Sequence, residues 1–166
     1  MAKRREGVRT SPNAGSPPKP EFSRRADVRR SGWLEYRLDI SATDDERAAL
    51  ARRFGLIDLA TLSAALVLKK RGDGVIEMTG TYRARLAQPC VVTLDPVWAT
   101  IEDEVRLFYA GTLKKPPVDI DPLDDDGWPE PIVGGIIDAG ESVAQLMALA
   151  LDPYPRSAGA ESGKPG

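Results

Sequence analysis

The chain contains no histidine and only one cysteine. The first absence removes His-dependent catalytic triads, imidazole metal sites and the commonest general acid–base group near neutral pH. A single thiol forms no internal disulfide, so nothing points to secretion. No apolar run approaches the roughly 18 residues of a membrane-spanning helix, and no apolar leader segment stands at the start. Neither GxGxxG nor GxxxxGK[ST] occurs, which leaves the common nucleotide-binding fingerprints unrepresented. Aromatic residues are sparse, at 6%.

What is present is charge, unevenly placed. At 166 residues the chain suits one domain with a core of its own. The formal net charge of −2 conceals a split: residues 1–30 carry a net +6 and residues 31–166 a net −8. The basic groups cluster as Lys3-Arg4-Arg5, Arg24-Arg25 and Arg29-Arg30. Together with Pro, Ser and Gly and few large apolar side chains, they predict a disordered arm over 1–31 that seeks phosphate without sequence preference. Pro17-Pro18-Lys19-Pro20 would break an amphipathic transit helix, so the expected home is the cytoplasm.

Order is expected from Trp33. Apolar residues fall on alternate positions in Glu35–Ser41, which reads as a strand. Thr43-Asp44-Asp45-Glu46 has the form of a capping box and opens a short helix that Gly55 ends. Two alternating runs, 62–69 and 76–86, flank Gly72-Asp73-Gly74 and predict an antiparallel hairpin. Pro89 should bend the second strand, bury Cys90 with Val91 and Val92, and lead to a turn at Asp95-Pro96. Residues 97–109 fit strand and helix periodicity almost equally. Their Val, Ile, Thr, Phe and Tyr content selects strand.

Residues 110–131 read as a Pro- and acid-rich loop. Its carboxylates fail the EF-hand pattern, which would need oxygen ligands where Pro122 and Val133 stand. Residues 132–137 read as a short buried strand, and Asp138 caps a helix with Val143, Leu146, Met147 and Ala150 on one face. Pro153 stops this helix, and residues 159–166 read as a disordered terminus. The predicted fold is α+β: a curved, mainly antiparallel sheet of about six strands, two short helices, and a single domain over 32–158. Strand order is not readable.

Candidate chemistry is thin. Cys90 has no adjacent base or cation to activate it and lacks further Cys or His for a zinc site, so it reads as a structural thiol. Tyr36 and Tyr82 alternate with Arg37, Arg83 and Arg85. They would make an RNA-stacking sheet only if they faced solvent, and their apolar neighbours assign them to the core.

Three segments, in this order, resemble one bacterial family. They are Gly80-Thr81-Tyr82-Arg83-Ala84 leading to Gln88-Pro89-Cys90-Val91-Val92-Thr93-Leu94-Asp95-Pro96-Val97; the acidic loop followed by Ile137-Asp138-Ala139-Gly140-Glu141; and Ala148-Leu149-Ala150-Leu151-Asp152-Pro153-Tyr154-Pro155-Arg156. Together they are similar to the YceD family of large ribosomal RNA subunit accumulation proteins, over roughly residues 35–158. The motif positions are Gly80, Cys90, Leu94, Pro96, Asp138, Gly140, Glu141, Pro153, Tyr154 and Pro155. Many members carry C-x-x-C where this chain has Cys90 and Thr93, so no metal or redox role carries over.

The resemblance implies a cytoplasmic, non-enzymatic ribosome-biogenesis factor supporting synthesis, processing or stability of large-subunit ribosomal RNA. It implies no established catalytic activity, and the basic arm lies outside it; from the sequence itself no cofactor, membrane or small-molecule substrate is expected. The partners expected are ribosomal RNA or ribosomal and assembly proteins, with the nucleic-acid contacts at Lys3, Arg4, Arg5, Arg24, Arg25, Arg29 and Arg30. Two rivals are a metal-dependent hydrolase or nuclease using Asp121, Asp124 and Asp126, and an adaptor or chaperone for a ribosomal protein.

Overall fold

The long hairpin organises the molecule. In the computed structural model, which describes residues 19–30, 32–111 and 129–160, alternation in 58–89 produces two long strands joined by a 3₁₀ turn at Gly72–Gly74. In chain order the elements are β1 (Arg25–Asp27), β2 (Glu35–Ser41), α1 (Asp44–Phe54), β3 (Asp58–Lys70), β4 (Val75–Pro89), β5 (Pro96–Ala110), β6 (Glu130–Pro131), β7 (Ile136–Asp138) and α2 (Ala139–Leu149). Five strands form one mixed sheet, in the order β2-β3-β4-β5-β6, antiparallel except for β5–β6. A two-stranded antiparallel ribbon, β1-β7, stands apart. The fold is α+β, as its sequence pattern predicts, and residues 97–109 are strand.

Both helices follow their local signals. Thr43 and Glu46 close the capping box, with the Thr43 N–H 2.8 Å from Glu46 Oε2, and Gly55 takes the left-handed conformation at φ 65°. One face of the sheet carries Leu62, Leu66, Leu68, Ala84 and Leu86, all buried. Leu50 of α1 and Val143 and Met147 of α2 belong to the same core. Burying a side chain of this size contributes about 1.5–3 kcal/mol.

Three expectations are corrected. The domain begins before residue 32: Phe22 is 0% exposed, and β1 pairs with β7 in the register Arg25↔Asp138. Composition hid this because the partners lie more than 110 positions away. Asp138 accepts from Ser23 Oγ at 2.6 Å and from the Arg24 N–H at 2.8 Å, while the Arg24 carbonyl takes the Ala139 N–H at 2.9 Å. The expected strand over 132–137 is instead a turn leading into β7. Gly134 and Gly135 have φ of 61° and 70°, the left-handed pair that a tight hairpin turn requires, and they join Val133 to Ile136.

The third correction concerns the stretch around Cys90. The valines are outside: Val91, Val92 and Leu94 are 49%, 60% and 73% exposed. The β4–β5 hairpin closes directly after β4, with Pro89 opposite Pro96. The Cys90 N–H donates to the Asp95 carbonyl at 2.8 Å and the Leu94 N–H to the Cys90 carbonyl at 2.9 Å, so residues 91–94 form the tip. Pro96 therefore opens β5 and is not part of a turn.

Candidate functional site

The helices cover only one face of the five-stranded sheet, and the other holds a depression. Side chains on a strand alternate between faces, so the residues opposite the buried leucines form cross-strand rows. One row is Asp39–Ala65–Thr81–Glu104, and the next is Ser41–Ser63–Arg83–Glu102. Small side chains in the middle and long acidic ones at the edges leave a groove of about 880 Å³. Gly80 sits beside its floor. A Cβ there would run into the Ala65 carbonyl oxygen, so glycine allows the close approach of β3 and β4.

The groove is acidic. Asp39, Glu102 and Glu104 line it against one guanidinium, Arg83, which pairs with Glu102 at 3.0 Å, while Asp103 alternates to the other face opposite Tyr82. Carboxylates of one sign in a concave surface concentrate field and attract cationic groups. The three are exposed and stand along two strands; among the described residues no three Asp, Glu, Cys or His side chains converge as metal ligands. The loop carboxylates Asp121, Asp124 and Asp126 lie outside the described residues. The chemistry this groove offers is attraction of a basic ligand.

Apart from Gly80 in mid-β4, the motif positions of the resemblance gather at two joints. At the first, Cys90 is buried beneath the segment after α2. The Val91 N–H donates to the Pro155 carbonyl at 2.9 Å, and Gln88 makes a reciprocal pair with the Asp152 backbone at 2.9 and 3.2 Å. Ser157 donates its N–H and hydroxyl to Cys90 Sγ at 3.4 and 3.6 Å. Bonds from Thr93, then from Ser157, hold the thiol down to about 6 against the opposing effect of burial. Thr93 thus serves the sulfur that a second cysteine would face in the C-x-x-C pattern. Leu94, at φ 63°, and Tyr154, 72% exposed, project from this end.

At the second joint, Asp138 caps α2 by accepting the Glu141 N–H at 3.2 Å while it holds Ser23 and Arg24. Gly140 lies against the Phe22 carbonyl, where a Cβ would stand 2.5 Å from the oxygen. Glu141 pairs with Arg53, which also bridges to Glu21 at 2.9 Å. Asp138, Gly140 and Glu141 therefore fasten the segment before β1 to the body. The sequence signal for this was available only as a helix cap.

The basic clusters divide. Lys3, Arg4 and Arg5 lie outside the described residues. Arg24 is structural: its guanidinium spans both Glu46 oxygens at 2.8 and 2.9 Å and reaches the Ser41 carbonyl. This contact, first among the causes, holds the Glu46 carboxyl down to about 2. Arg29 forks onto Asp27 at 3.0 and 2.8 Å. Arg25 and Arg30 are exposed. Of the two tyrosines, Tyr82 is in the core, but Tyr36 is 50% exposed, against the expectation from its apolar neighbours. It lies on edge strand β2, which has β3 on one side only, so its ring is half uncovered.

Among the described residues no helix is long and apolar enough to cross a membrane. Comparison with known proteins gives no match: no family model fits the chain, and neither a curated protein nor a solved structure is significantly similar to it.

Proposed function

We propose that this protein is a non-enzymatic binding module of the bacterial cytoplasm that supports synthesis, processing or stability of large-subunit ribosomal RNA. Its acidic groove takes a Lys/Arg-rich segment of a ribosomal or assembly protein, and its basic residues add affinity for RNA. The observation that carries this reading is the groove of about 880 Å³ on the uncovered sheet face, where the carboxylates of Asp39, Glu102 and Glu104 stand against one arginine, Arg83. Ribosomal proteins expose basic extensions before they meet RNA, and such a surface suits them by charge. The resemblance of the three segments to the large ribosomal RNA accumulation proteins supplies the biological setting.

Titration with a Lys/Arg-rich ribosomal-protein extension tests the groove. Asp39→Asn combined with Glu104→Gln should weaken binding at least about tenfold and reduce its salt sensitivity. Equal binding by native and variant protein contradicts the groove assignment. For RNA, setting aside Arg24, six basic groups remain of the seven named. Arg29 is likewise engaged, with Asp27, so if the other five neutralise about five phosphates of a single strand, log affinity should fall with log salt at a slope of about −3.5.

A further inference from the structure

We propose that a second depression, between β1 and β2, is a recognition site for one unstacked nucleotide of single-stranded RNA. Its volume is about 480 Å³, within the roughly 300–1,000 Å³ of ordinary small-ligand sites. Arg25 and Arg30 stand at this depression with Val28, Trp33, Tyr36 and Leu68. Three independent observations point to the same ligand.

The first is charge. Asp27 also lines the depression, but Arg29 already occupies both of its carboxylate oxygens. Neither Arg25 nor Arg30 forms an ion pair among the described residues, so two exposed guanidinium groups flank a partly apolar cavity. That arrangement suits a phosphate at the mouth of a site whose interior takes a ring.

The second is an open aromatic face. Lys70 already covers one aromatic ring, with Nζ 4.5 Å from the centroid of Trp33, whereas Tyr36 remains half exposed. An exposed tyrosine beside free arginines is the usual platform on which a splayed base stacks. The third is an unused donor. Trp33 Nε1 is buried and has no acceptor among the described residues. Buried N–H groups without an acceptor are rare because they forfeit hydration. Trp33 lines the depression, and a side-chain movement that opens its N–H to the cavity would let a base carbonyl or ring nitrogen complete this one.

The base therefore stacks on Tyr36, accepts from Trp33 Nε1, and leaves its flanking phosphates to Arg25 and Arg30. This site rests on the RNA part of the reading above, but it is separate from the acidic groove. Loss of peptide binding in the Asp39→Asn/Glu104→Gln protein should leave RNA binding intact, so the two assignments fail separately.

The test is fluorescence anisotropy of the full chain with a short labelled single-stranded RNA. Tyr36→Ala should lower affinity roughly 5- to 160-fold, the range of one lost base stack, while Tyr36→Phe retains it. Arg25→Gln with Arg30→Gln should make the salt slope shallower by about 1.4, equivalent to two phosphates on a single strand. Trp33→Phe, which keeps a ring and removes the donor, should weaken binding a few-fold, by about the net value of one hydrogen bond. Duplex RNA, whose bases are not free to stack, should bind more weakly than single-stranded RNA. The proposal is overturned by any of three results: full-length protein that binds no single-stranded RNA, folded Tyr36→Ala with native affinity, or an unchanged salt slope in the double arginine variant. The arginines are exposed, so that last variant remains informative even where Tyr36→Ala fails to fold.

Discussion

Strand β2 lends residues to both depressions, and the two contrast in chemistry and in origin. Toward its end, Asp39 and Ser41 line the acidic groove; near its start, Tyr36 lines the basic, aromatic one. The groove is built from strands that neighbour one another in both chain and sheet, β2 to β5, so its charge follows from strand alternation alone. The Tyr36 depression exists only because β1 is tied down by Asp138, more than 110 positions along the chain. One site is thus a property of local pattern and the other of long-range assembly. Each can be disturbed without the other.

The strongest way to break the comparison is Phe22→Ala. If the segment before β1 were a solvated arm, the change would cost nothing. Because the ring is fully buried, beside the guanidinium of Arg24 at 4.7 Å, the expected loss is about 3–5 kcal/mol in chemical denaturation. In the fraction that stays folded, RNA affinity should fall and basic-peptide binding should persist.

A smaller effect is expected from acid. Glu46 is held down to about 2 from an ordinary 4.5, chiefly by its hydrogen bonds from Arg24. A carboxyl depressed in the folded state adds stability that is complete above its unfolded value of about 4.5 and disappears as pH falls towards 2. The two side chains are 29% and 22% exposed, so solvent screening limits the contribution to about 1 kcal/mol. Arg24→Gln should remove that share of the acid-dependent loss, as followed by denaturation at pH 6 and pH 3.

The smallest effect on stability belongs to the groove. Its carboxylates are exposed and lie on a regular strand surface, so Asp39→Asn with Glu104→Gln should change stability by less than about 0.5 kcal/mol. A larger loss would mean that these groups hold the sheet together and do not serve a ligand.

Much of this arrangement is legible in the chain, for identifiable reasons. The Thr43–Glu46 capping box, Gly55 and the Gly72-Asp73-Gly74 turn are local signals whose physics is complete within a few residues. Alternation in β3 and β4 likewise separates buried leucines from exposed partners without reference to the rest of the fold. The same rule misplaces Val91 and Val92, since alternation carries no mark of where Cys90 leaves the strand. It misplaces Tyr36 too, since edge position depends on a strand order that the sequence does not display. β1 escapes notice because Ser23-Arg24-Arg25-Ala26 is polar and basic, and its order depends on Phe22 beneath it and Asp138 beside it.

The most direct test of the central claim is the ratio of large- to small-subunit ribosomal RNA in cells whose only copy of this protein carries Asp39→Asn and Glu104→Gln. The proposed role predicts a folded, normally abundant variant and a ratio reduced towards that of cells lacking the protein. An unchanged ratio, in cells where complete loss of the protein does lower it, would contradict the assignment of the acidic groove as the working surface.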